Sequence, residues 1–94
     1  MIPLQIRDTN FLYHKIGGHD EIFQLSDMDS ASPNYYGYLS ASGYWIIIKE
    51  TITASVTTYR YVGGTSATEY KTAVTGKWAT RAALTYGYYD ALFS

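Results

Sequence analysis

Cysteine is absent from this chain, so neither a disulfide framework nor a thiolate metal or redox site supports the fold. Charge is scarce as well. Asp, Glu, Lys and Arg make up 16% of the 94 residues, where about 25% is usual in a globular domain. The formal net charge of -1 at pH 7 lacks the excess of Lys and Arg expected of a general nucleic-acid binder. Long apolar runs are missing too: the strongest, Tyr44 to Ile48, falls far short of the roughly 20 residues that span a bilayer. Met1 to Asp8 shows no basic segment followed by an apolar core, so no secretory leader is read and folding in a cytoplasm is expected. A chain this short holds one domain and buries roughly two-thirds of its unfolded surface.

What fills the space left by charge is tyrosine, with eleven in the chain and aromatics at 17%. Tyr carries a large apolar face and a hydrogen-bonding tip at low entropic cost, which suits surfaces shared between subunits. Charge divides the chain near residue 34. Asp8, Asp20, Glu21, Asp27 and Asp29 outweigh Arg7 and Lys15 before it, whereas Lys49, Arg60, Lys71, Lys77 and Arg81 outweigh Glu50, Glu69 and Asp90 after it. Opposite balances help like subunits meet head to tail.

Residues 1–34 read as an extended N-terminal arm, and residues 35–94 as a β-rich domain. In the arm, Ile2, Leu4 and Ile6 alternate as in a short strand. Gly17-Gly18 breaks the chain, and Ser26 to Asn34 has loop chemistry. Ile22, Phe23 and Leu25 form an apolar cluster that needs a surface to dock on, such as a neighbouring subunit. Beyond the arm, Tyr35 to Ser40 and Gly43 to Lys49 have strand composition, the latter apolar on both faces. Val56 to Val62 is a further strand presenting Tyr59 and Tyr61 on one face, joined to its predecessor through Glu50 to Ser55. Gly63-Gly64-Thr65-Ser66 reads as a turn. Ser66 and Glu69 frame a capping box that opens a short helix near residues 67–74, and residues 82–90 read as a final strand. The fold expected is mainly β, a small antiparallel sandwich or rolled sheet with one short helix.

Candidate chemistry is thin. His14, His19, Asp20 and Glu21 are metal-capable side chains, but their spacing is poor and no third His exists, so no metal or other cofactor is expected. No G-x-S-x-G pattern occurs and both histidines lie in the arm, which argues against nucleophilic catalysis. Glu50 and Glu69 are conceivable as paired acids. Each has a simpler role, Glu50 as a charged gatekeeper at the end of an apolar strand and Glu69 in the helix cap. Gly63 to Ser66 lacks the lysine and spacing of a phosphate loop. Arg60 between Tyr59 and Tyr61 is the one basic–aromatic interleaving, and alternation sends Arg60 to the opposite face. For small ligands, carbohydrate is the serious option: Trp78 and Tyr88 suit sugar stacking, while Trp45 reads as core.

The segment from Tyr44 to Phe93 resembles a group of short proteins found among the structural genes of tailed bacteriophages. The likeness is carried by Tyr44-Trp45-Ile46-Ile47, Thr58-Tyr59-Arg60-Tyr61-Val62, Trp78 with Arg81, Leu84-Thr85-Tyr86 and the closing Tyr88-Tyr89-Asp90-Ala91-Leu92-Phe93. It implies a virion component near capsid or tail, made in the host cytoplasm, and supplies no site residues. The function expected is therefore a non-enzymatic structural subunit (decoration, neck or tail-associated) that binds copies of itself or larger virion proteins. Ile22, Phe23, Leu25, Tyr59 and Tyr61 are its expected contacts, with neither nucleic acid nor membrane as partner. The alternative is a carbohydrate-binding module on a tail fibre, using Trp78 and Tyr88 on a glycan.

Overall fold

The computed structural model describes residues 11–16 and 18–93; the alternating Ile2, Leu4 and Ile6 lie outside them. Five strands run in sequence order through one antiparallel sheet: β1 (Phe11–Ile16), β2 (His19–Asp29), β3 (Asn34–Ser40), β4 (Trp45–Thr53) and β5 (Val56–Gly64). The sheet curls into a half-barrel. One short helix, α1 (Ala67–Lys71), follows, and two 3-10 turns, Arg81–Ala83 and Tyr89–Ala91, complete the chain. The mainly β, antiparallel, single-helix expectation is met.

The division at residue 34 does not hold over residues 11–34. β1 and β2 pair along their lengths, and β2 pairs in turn with β3. The reason is a period-2 pattern that polar residues partly mask: Leu12, His14 and Ile16 on β1 share a face with Glu21, Phe23 and Leu25 on β2. The segment read as loop continues as strand to Asp29, because a β-bulge between Leu25 and Asp27 absorbs Ser26. Across such a bulge the odd residues change faces. Phe23 and Leu25 turn to the concave side, while Asp27 and Asp29 turn to the opposite one.

Each face of the central strands has its own core. Phe23, Tyr36, Tyr38, Ile46, Ile48 and Leu92 fill the concave side. Tyr35, Trp45, Ile47 and Tyr70 pack the other, joined by Trp78, Leu84 and Tyr86. The strand Tyr44 to Ile48 is thus enclosed on both faces by its own chain and leaves no apolar surplus for a neighbour. Burying a side chain such as Phe23, fully inaccessible to solvent, contributes about 1.5–3 kcal/mol.

Glycine is required where rings cross the backbone. Gly63 and Gly64 form no turn, since they pair with Ile46 and Trp45 as the end of β5, and a Cβ at Gly64 would lie 2.5 Å from Nε1 of Trp45. At Gly37 the Tyr70 hydroxyl and the Trp78 ring occupy the space a side chain would need. The β4–β5 connection is shorter than Glu50 to Ser55, as the strands pair as far as Thr53 and Val56.

The expected helix is present but stops at Lys71, with the Ser66 hydroxyl accepting from the Glu69 backbone N–H. Residues 82–90 do not form a strand. They turn through short 3-10 segments and touch the sheet at one bridge, where Tyr61 and Gly87 exchange two backbone hydrogen bonds of 2.8 and 2.9 Å. Leu84, Tyr86 and Tyr88 alternate as a strand would, but their apolar members are spent covering the face of β3–β5.

Candidate functional site

Strand alternation gathers Tyr36 and Tyr38 of β3, Ile46, Ile48 and Glu50 of β4, and Tyr59 and Tyr61 of β5 on the concave face. Together with Leu12, Tyr13 and His14 of β1 and Tyr89 they line a cavity of about 280 Å³. At one end the His14 Nδ1 meets the Tyr89 hydroxyl, and the Tyr89 ring stands edge-on to Tyr61 at 5.2 Å. β1 and the C-terminal turn are thereby latched across the hollow.

Glu50 is the chemical centre of this cavity. It is 1% exposed, the reverse of the solvent-facing gatekeeper expected from its place beside Lys49. Its Oε1 accepts from Asn34 Nδ2 and from the Tyr36 hydroxyl, both at 2.7 Å, and its Oε2 accepts from the Tyr59 hydroxyl at 2.8 Å. Burial pushes such a carboxyl up, yet the three donors outweigh it and hold Glu50 below the usual carboxylate range. For Tyr36 burial and the adjacent carboxylate act in the same direction, raising the phenol well above its ordinary value.

No cation answers this charge: among the described residues Glu50 forms no ion pair. The nearby basic heads stack on rings elsewhere. Lys49 lies 5.6 Å from the centre of Tyr86, Arg60 4.4 Å from Tyr88, and Arg81 4.5 Å from Trp78. Period-2 alternation dictates this, since Lys49 precedes Glu50 and Arg60 follows Tyr59.

The expected contact residues separate. Phe23 and Leu25 are part of, or packed against, the chain's own core, and Tyr59 and Tyr61 face the cavity, so none of these four presents an open docking face. Ile22 does. It is 54% exposed and sits directly across from Tyr13, 70% exposed, with Phe11 further along β1 at 50%. This outer face of the β1–β2 hairpin is bare because the C-terminal residues that cover the sheet reach only as far as Asp27 and Asp29. There Tyr70 donates to Asp27 at 2.8 Å, and Arg81 donates to Asp29 through Nε at 3.2 Å and Nη2 at 2.8 Å. That guanidinium, aided by the Ala31 backbone N–H, holds Asp29 below the usual range.

Trp78 and Tyr88, paired in the expected sugar site, line separate depressions, one beside Asp27 and Tyr70 and the other beside Tyr86 and Leu92. The metal-capable residues are dispersed as well: His19 bonds Glu21 at 2.7 Å, Asp20 pairs with Lys15 at 3.0 Å, and His14 meets Tyr89. No helix among the described residues is long and apolar enough to cross a membrane. No protein-family model, curated protein or solved structure matches this chain.

Proposed function

We propose that the protein is a non-enzymatic assembly subunit, a small virion structural component that joins copies of itself through the outer face of its β1–β2 hairpin. The observation that carries this reading is the exposed row Phe11 and Tyr13 of the edge strand β1 with Ile22 beside them on β2. Exposed aromatic and β-branched side chains beside a strand edge favour pairing with another chain. The scarcity of charge and the eleven tyrosines support the same reading. The likeness of Tyr44 to Phe93 to phage structural-gene proteins supports a virion as the setting.

The test is sedimentation or light scattering of the purified chain beside the double variant Tyr13→Lys, Ile22→Glu. The natural sequence should self-associate at high micromolar concentration, and the variant should run as a monomer with an unchanged circular dichroism spectrum. A natural chain that stays monomeric under those conditions would overturn assembly through this face.

A further inference from the structure

Glu50 presents an unusual combination: a buried carboxylate that accepts three hydrogen bonds from neutral donors, with no ion-pair partner among the described residues, at the wall of an aromatic cavity. A buried charge without a counter-charge is costly. The hydrogen bonds from Asn34, Tyr36 and Tyr59 keep it ionised without neutralising it. Oε2 accepts from one donor, Tyr59, so it retains a lone pair for another. Around it, Tyr36, Tyr59, Tyr61 and Tyr89 line the same hollow. Ring faces carry negative quadrupole charge and attract cations, most strongly where water is excluded. Carboxylate and rings therefore select the same sign of guest. Leu12, Ile46 and Ile48 supply apolar walls for the rest of it.

We propose that the concave cavity binds a compact organic cation: a protonated primary amine on an aromatic or aliphatic body, its ammonium donating to Glu50 and resting against the tyrosine rings. The volume of about 280 Å³, near the lower end of ordinary ligand sites, admits one ring and a short arm. His14 and Tyr89 close one end. This site lies on the opposite side of the sheet from Phe11 and Ile22, and Tyr13 alone borders both, so Ile22→Glu tests self-association without touching the cavity.

The test is a probe series on the full chain at neutral pH. It uses 2-phenylethylamine, the neutral 2-phenylethanol and the anionic phenylacetate, read by amide chemical shifts and tyrosine fluorescence. The amine should bind about tenfold or more tightly than the alcohol, phenylacetate should bind weakest, and the shifts should centre on Ile48, Glu50, Tyr59 and Tyr61. Equal affinity for amine and alcohol would show an apolar hollow without charge recognition and overturn the proposal. Shifts centred elsewhere, or no saturation by the amine at roughly millimolar concentration, would do the same. Glu50→Gln should bring the amine down to the affinity of the alcohol. Should that variant not fold, Tyr61→Leu leaves the donors to Glu50 in place and should weaken the amine about threefold, the alcohol less.

Discussion

Val74 holds a backbone conformation that β-branched residues avoid, with φ of 74° in the turn after α1. Its side chain is 82% exposed, so no packing contact repays that conformation. A left-handed residue bearing Cβ costs about 1–2 kcal/mol, and glycine there gives back part of the gain through unfolded-state entropy. Val74→Gly should accordingly stabilise the fold by about 0.5–1 kcal/mol, seen as a raised midpoint in urea with an unchanged slope. Glu50 illustrates the opposite bargain, a costly burial sustained by exact placement of three donors. Its position was hidden in the sequence because Lys49-Glu50 reads as an ordinary polar strand end. The signal lay in parity: Ile46, Ile48 and Glu50 share a face, and so do Tyr36, Tyr59 and Tyr61 across the sheet.

Helix α1 is too short to persist alone, and its one buried residue, Tyr70, fixes it to the sheet. The ring packs near Trp45 and Trp78, at 6.0 and 6.1 Å between centres, and the hydroxyl reaches Asp27. Tyr70→Phe keeps the packing and removes the bond. It should cost about 0.5–1.5 kcal/mol, with faster amide exchange over 67–71 and little change in β4. Strands β3, β4 and β5 were legible because aromatic and β-branched residues concentrate there. β2 was not, because the bulge at Ser26 breaks its alternation midway and its outward side carries Gln24 and the exposed Ile22. The closing residues 82–90 misled in the other sense, since Leu84 and Tyr86 alternate but spend their apolar surface covering β3–β5.

Across the molecule, tyrosine behaves as a structural residue and its ionisation opposes the fold. Burial raises the phenols of Tyr36, Tyr61, Tyr70 and Tyr86, with further help from Glu50, Tyr89, Asp27 and Tyr35 respectively. A group whose value is raised on folding contributes stability that is present below its unfolded value and lost as pH rises toward its folded one. Alkaline titration should therefore show these four ionising in a cooperative step that coincides with loss of circular dichroism. Smooth ionisation of all eleven tyrosines with the spectrum intact would contradict it. The carboxylates of Glu21, Asp29 and Glu50 carry the opposite sign, being held low by His19, by Arg81 and by the donors around Glu50. Their contribution is present above the ordinary carboxylate range and lost as pH falls through their folded values. The strand order β1-β2-β3-β4-β5 also governs the timing of folding. Each strand finds its partner immediately behind it, so pairing needs no long loop closure and proceeds quickly. A ribosome releases those strands before residues 65–93. The tyrosine-lined hollow and the opposite face thus stand open to the cell until residues 65–93 follow and pack over them, and that interval is when a nascent chain is most exposed to wrong partners.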